Sequence, residues 1–411
     1  MIRLIAPLLV SGVLVAACDA GGATVSTLPA AQIIIASDLP TSGFGANALD
    51  AQQAIAFAIQ QQGTVEGYTL GYWPLDDSLA ANPSPARAIG NLQRIVDVRQ
   101  ALGMIGPFSS NVARYEIPIA NRANLAMISP SNTGDCLTLS YCDPIDVASR
   151  PFGVNNYFRI AAPDPVEGRA MARYAARRLG VTRVAAFNDL GTDGEPIIKE
   201  FAAELKSSGG QIVLEQSLVA SGAPDFTTFL TQASSLGAQA VYAVGLAIDN
   251  HDCRARAQME TLLPNAYFLT WDGIDQDNEN CFPDAGADTS RMFGTFSDVD
   301  PRRSTPLSKD VTAYLKAYPK ASDVSIYTFA AYDCARLMIA AIAQAIRDNH
   351  GAIPRRDQVV AALASIQGFR GVTGTYSFDA NGDAFSPLMS IWEVQNGRWT
   401  YLEQIDASKQ D

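Results

Sequence analysis

Four short polar segments carry the side chains best suited to holding a solute. They are Gly106-Pro107-Phe108-Ser109-Ser110-Asn111, Ser129-Pro130-Ser131-Asn132-Thr133, Asn188-Asp189-Leu190 and Trp271-Asp272-Gly273, and each follows a short apolar run. Hydroxyls and amides dominate. The first two segments suit donation to an anionic group, and Asp272 suits acceptance from a cation. The same residue types also build helix caps and tight turns, and spacing alone supports both readings equally.

The rest of the chain offers little reactive chemistry. Only two histidines, His251 and His350, occur in 411 residues, which leaves little room for a multi-histidine zinc site or a histidine-centred relay. His251 with Cys253 is the nearest approach to a base and a nucleophile, and no acid is placed to complete a triad. Gly43-Phe44-Gly45-Ala46-Asn47-Ala48 has the spacing of a dinucleotide loop, but Ser37 to Ser42 separates it from the preceding strand and spoils the tight turn. Asp379-Ala380-Asn381-Gly382-Asp383 imitates a calcium loop, yet Ala384 and Ser390 stand where glycine and glutamate are needed, so a hairpin turn at Asn381-Gly382 is expected. Asp275-Gln276-Asp277-Asn278-Glu279 reads as a solvated loop, and no Walker A, His-Glu-x-x-His or Gly-x-Ser-x-Gly pattern is present. No metal and no cofactor are expected. Lys plus Arg total 30 against 42 for Asp plus Glu, a net charge of -12, which nucleic-acid phosphates would repel.

Elements must bring the polar segments together. Apolar β-rich runs at Gln32 to Ala36, Ala101 to Ile105, Leu125 to Ile128, Arg183 to Phe187, Ala240 to Val244 and Ala266 to Thr270 alternate with amphipathic helical runs. This is βαβ organisation. Asp164-Pro165 with Glu167 three residues on reads as a capping-box-like helix start, and Leu179-Gly180 as its end, with Arg173, Arg177 and Arg178 on a solvated face. Buried parallel strands with helices on both sides imply doubly wound sheets. With 48% hydrophobic residues and more units than one core accommodates, two lobes are expected.

The N-terminus reads as an export signal. Arg3 supplies positive charge, and Leu4 to Ala17 is uncharged and too short to span a membrane. Leu14-Val15-Ala16-Ala17-Cys18 resembles the bacterial lipobox, in which the cysteine is diacylated and becomes the mature N-terminus; the alternative is an ordinary Ala-x-Ala cleavage site. Asp19 to Ala30 suits a flexible tether. After export, Cys136 with Cys142 and Cys253 with Cys281 is the economical disulfide pairing, leaving Cys334 as a buried small hydrophobe in the apolar stretch Tyr327 to Ile346.

The order of segments from about Ala31 to Glu403 resembles the type I solute-binding proteins of ABC importers, specifically the leucine/isoleucine/valine-binding group. The signals are Leu39-Pro40-Thr41-Ser42-Gly43, Ile105-Gly106-Pro107-Phe108-Ser109-Ser110, Ile128-Ser129-Pro130-Ser131-Asn132-Thr133, Ala331-Tyr332-Asp333 and Tyr376-Ser377-Phe378-Asp379. The resemblance implies an α/β fold of two doubly wound three-layer lobes joined by a three-strand hinge and closing over ligand. A signal peptide at 1–17 and a lipid-anchored linker at 18–30 would precede lobe 1, from 31–158 plus 295–371, and lobe 2, from 159–294 plus 372–411.

The resemblance further places Ser110 and Thr133 where hydroxyls and amides hold a carboxylate, Ser131 where a backbone carbonyl receives an ammonium, and Asp272 where an acid neutralises it. Asp193 and Leu246 stand about where the branched-chain binders carry tyrosines, and Tyr327 and Phe44 where rings pack on the ligand side chain. The implied function is an extracytoplasmic lipoprotein, anchored through Cys18, that captures an amino acid or related small polar solute. It would act as a monomer, deliver its ligand to a membrane permease and catalyse nothing. A sensor using the same closure is an alternative, and a lipid-anchored hydrolase a more distant one.

Overall fold

The computed structural model describes residues 27–42, 45–80, 82–138, 153–188, 194–218, 225–245, 251–275, 281–282, 284–297, 299–303, 306–320, 324–325, 327–384 and 388–407. Its first sheet is built from β1 (Ile33–Leu39), β2 (Thr64–Val65), β3 (Tyr68–Asp76), β6 (Ala101–Ile105), β7 (Ala126–Ser129) and β8 (Tyr157–Arg159), with a small hairpin of β4 (Ser78–Leu79) and β5 (Asn82–Pro83) after β3. The strand order is β2-β3-β1-β6-β7-β8. All neighbours are parallel except β2 with β3. Every residue of β1, β6, β7 and β8 is buried, which is why these strands are continuous apolar runs.

Helix α1 (Gly45–Gln62) and two consecutive helices far along the chain, α9 (Thr328–Asp348) and α10 (Arg356–Ala364), share a core with Ile33, Ile105 and Ile128. On the other face α2 (Pro85–Asp97) and α3 (Ser110–Arg122) pack Leu92, Ile95 and Ile117 against Ile34, Met104 and Met127. Successive strand residues point to opposite faces, so Ile33 and Ile34 fall in different cores. The result is three layers.

The second sheet contains β9 (Arg183–Asn188), β10 (Gln211–Ser217), β11 (Ala240–Val244), β12 (Tyr267–Thr270), β13 (Met292–Phe296), β16 (Leu388–Gln395) and β17 (Arg398–Asp406), in the order β10-β9-β11-β12-β13-β16-β17. It is parallel as far as β13 and antiparallel beyond. Helices α4 (Asp164–Arg177), α5 (Glu195–Ser207), α6 (Thr227–Ser235) and α7 (Arg254–Leu262) accompany it. The chain passes between the sheets three times: after β8, after β13 towards α8 (Lys309–Ala317), and after the small hairpin β14 (Phe369–Arg370) and β15 (Thr375–Tyr376) on the way to β16.

Several expectations are revised. Pro163 occupies the N-cap of α4 with no side-chain cap bond, so Glu167 does not complete a capping box; it turns into the interior. Arg173 is not solvated: it is buried and donates to Glu204 at 2.9 Å and to the Asp406 carbonyl at 2.5 Å, tying α4 to α5 and β17. Asn381-Gly382 forms a turn closed by Gly382 N donating to Asp379 O at 3.1 Å, with the Asp379 carboxylate accepting from Asn381 N and Asp383 N. Gly382 has φ +92, and a Cβ there would meet the Tyr157 carbonyl at 2.1 Å.

Cys253 and Cys281 form a disulfide, which removes the Cys253 thiolate that a nucleophile beside His251 would need. Cys136 is disulfide-bonded, and Cys142, its expected partner, lies outside the described residues, as does Cys18. Cys334 is a buried thiol on α9.

Candidate functional site

The polar segments after β6 and β7 lie side by side because those strands are parallel neighbours, and their side chains stitch the two loops together. Ser129 Oγ donates to Pro107 O at 2.8 Å and accepts from Asn132 N at 3.0 Å. Ser131 Oγ and Asn132 Nδ2 both donate to Phe108 O, at 2.8 and 2.7 Å. Ser110, first residue of α3, accepts from Gly134 N at 3.1 Å, which leaves its hydroxyl proton available to a further acceptor. Gly106 has φ +117, and a Cβ there would lie 2.6 Å from the Asp38 carbonyl, so only glycine permits the loop to leave β6 at this angle.

A single guanidinium fixes the far side of the second loop. Arg159, at the end of β8 and fully buried, donates to Gly134 O at 2.6 Å, Asn132 O at 3.3 Å, Thr138 Oγ1 at 2.6 Å and Asp383 Oδ1 at 2.6 Å. It therefore joins the first crossover, the hydroxyl-rich loop and the turn before the third crossover. A fork of fixed donors is suited to such a junction, and lysine would not reproduce it.

From the second sheet, Asp272 follows β12 in a single helical turn, Asp272–Asp275. Its Oδ2 accepts from Tyr327 Oη at 3.0 Å. Tyr327 belongs to the first core and packs edge-on against Phe108, centroids 5.1 Å apart. Ser131, Phe108, Tyr327 and Asp272 thus form a continuous chain of contacts from one lobe to the other. Thr133 lies beside them: its carbonyl accepts from Asp164 N at 2.9 Å, and its side chain hydrogen-bonds the Asp164 carboxyl.

Sequence reasoning missed Arg159 and two further acids at this junction. Asp164 and Glu167 sit three residues apart in the first turns of α4, both buried, and Glu167 Oε2 accepts from Asp272 N at 3.2 Å and from Thr295 Oγ1 at 3.4 Å. Read as helix-start residues, they carried no sign of this placement; the absent cap bond is visible only in the fold. Burial pushes the Asp164 carboxyl up to about 8, with the nearby Asp272 charge adding to the effect. Burial likewise raises Asp272 to about 7, partly offset by the Tyr327 hydrogen bond. Glu167 is raised well above the usual carboxylate range by burial and then by Asp272 and Asp164. The arrangement is polarised, with hydroxyls and amides on the first-sheet side and carboxylates on the other.

Ser110, Ser131, Thr133, Asp272 and Tyr327 are therefore brought into one region. Phe44, Asp193 and Leu246 lie outside the described residues. Among the described residues no cluster of His, Cys, Asp and Glu has metal-holding geometry.

Known proteins resemble this chain over most of its length. The Leu/Ile/Val-binding protein homolog 3 of Brucella melitensis is 23% identical over 366 residues, covering 89% of this chain and 90% of that protein. The structure of a leucine binding protein from Thermotoga maritima superposes with a TM-score of 0.72 at 25% identity, covering 91% of this chain and 99% of that one. A solute binding protein of an ABC transporter from Rhodopseudomonas palustris, solved with p-hydroxybenzoic acid, gives 0.70 at 19% identity over 91% and 97%. Such proteins bind solutes and are not enzymes. The sequence profile of the periplasmic binding protein family matches residues 37–398, nearly the whole folded body, and the chain belongs to that family.

Proposed function

We propose that this protein is the extracytoplasmic substrate-binding component of an ABC importer, taking an α-amino acid or closely related solute between its lobes by hinge closure. The observation that carries the reading is the bond from Tyr327 to Asp272, which joins the lobes between a hydroxyl-rich loop and a cluster of acids. A zwitterion matches that polarity. Ser110, Thr133 and neighbouring amides hold the carboxylate, the Ser131 carbonyl and Asp272 hold the ammonium, and Tyr327 lines the cleft; Phe44, Asp193 and Leu246 complete it.

A benzoate offers a carboxylate but no cation, and would leave Asp272, Asp164 and Glu167 facing an uncharged ring; this favours an amino acid. Cys18 carries the lipid anchor, and the permease collects the ligand. Native mass spectrometry of freshly purified protein tests the reading: a bound small molecule with the mass of an amino acid supports it, and a bound solute lacking an amine contradicts it.

A further inference from the structure

The junction between the lobes holds more acidic side chains than an α-amino acid engages. Asp164, Glu167 and Asp272 are 7%, 0% and 2% exposed, and all three act electrostatically on the hydroxyl of Tyr242, which is itself fully buried in β11. The nearby guanidinium of Arg159 is engaged by Asp383 and by loop carbonyls. An α-ammonium on Asp272 engages one carboxyl group and leaves two.

At this junction Asp164 Oδ1, Glu167 Oε1 and Tyr242 Oη are without a hydrogen-bond partner among the described residues. Each can accept a hydrogen bond, and buried polar atoms left without partners are unfavourable. We propose that Asp164, Glu167 and Tyr242 form a second cation subsite beside Asp272, so that the preferred ligand is an amino acid whose side chain ends in a guanidinium or amine. The proposal rests on the reading of this cleft as an amino-acid site. A guanidinium carries five N–H donors on a rigid fork and can serve two carboxylates and a phenol oxygen together. An aliphatic side chain would leave those groups unpaired, which is how a polar pocket rejects the wrong ligand.

Calorimetry on the mature protein with L-arginine, L-lysine and L-leucine provides the test. Arginine or lysine should bind at least about tenfold tighter than leucine, and in E167Q that ratio should collapse towards about one, because the discriminating charge is gone. Y242F should reduce the ratio more mildly. Titration in two buffers of different ionisation enthalpy gives a readout on the wild type alone. Asp164 and Glu167 on α4, Asp272 after β12 and Tyr242 on β11 face the subsite, with Tyr327, Thr133, Thr295, Asp135 and Arg159 around them. The basic ligands should expel more protons from this group than leucine does. Leucine binding as tightly as arginine, with equal proton release, would overturn the subsite while leaving an amino-acid binder. Binding of none of the three would overturn both readings.

Discussion

Asp272 is the residue on which the proposed clamp depends. Its carboxylate accepts from Tyr327 at 3.0 Å inside a closed polar junction, so removing it strands a ligand ammonium without its counter-ion. Asp272→Ala is expected to cost about 2–5 kcal/mol, roughly 30-fold to several thousand-fold in affinity, measured by calorimetry. Thr133→Ala retains the backbone N–H and should cost less. Protonation gives a second handle. Asp272 is raised to about 7 and Asp164 to about 8 by burial, and a bound cation favours the ionised forms, so binding expels protons. Affinity should therefore fall as pH is lowered from 8 to 6, by about tenfold per pH unit for each proton released; a flat profile across that range would show that these acids do not meet the ligand's cation. The hydroxyl segments and Asp272 were legible from residue type and their place after strands. Arg159, Asp164 and Glu167 were not, because each reaches partners distant in sequence: Arg159 meets Asp383 across 224 positions, and Glu167 meets Asp272 across 105.

At the scale of elements, the six strands read from apolar runs correspond to β1, β6, β7, β9, β11 and β12 within a few residues at their ends. Strands β3, β10 and β17 were missed because they are half-buried, the last two at an edge; β8, β13 and β16 were missed although mostly buried. In β3, burial alternates and Pro74 interrupts the pattern; β2 pairs only with its first residues, so the side of Pro74 away from β1 has no strand to supply. β16 and β17 pair antiparallel, and no residue of β17 is fully buried. One element also carries an internal liability. Asp38, at the end of β1, and Glu116, on α3, are fully buried and hydrogen-bonded to each other, and both are raised well above the carboxylate range, by burial and by mutual repulsion with Asp77. A carboxyl raised on folding penalises the folded state as pH climbs past its ordinary value towards the raised one. Glu116→Gln keeps a donor for Asp38 and removes that penalty, so it should raise the melting temperature by about 2–4 °C at pH 8 and by less at pH 5; destabilisation at pH 8 would contradict the shared-proton account. The Cys253–Cys281 bridge spans 28 positions. Its loss should destabilise the second lobe by about 3–4 kcal/mol on the chain-entropy scale, read as a drop in the urea midpoint of Cys253→Ser with Cys281→Ser.

At the scale of the molecule, two sheets joined by three passages of chain make a hinge, and Arg159 sits where two of them meet the hydroxyl-rich loop. Ligand that bridges the lobes should shift the population towards the closed form. Small-angle scattering should show a smaller radius of gyration on saturation with ligand, and no change would argue against closure. The hydrophobic leader and the lipobox-like end predict that Cys18→Ala releases the protein from the membrane fraction, whereas unchanged fractionation would place the anchor elsewhere. The central claim is that the junction between the lobes is an amino-acid clamp. Calorimetry of the mature wild type and of Asp272→Ala against a panel of α-amino acids tests it most directly. The account predicts one-to-one binding of at least one of them to the wild type and a loss of about 30-fold or more in the variant; binding indifferent to the substitution, or no amino-acid binding at all, would contradict it.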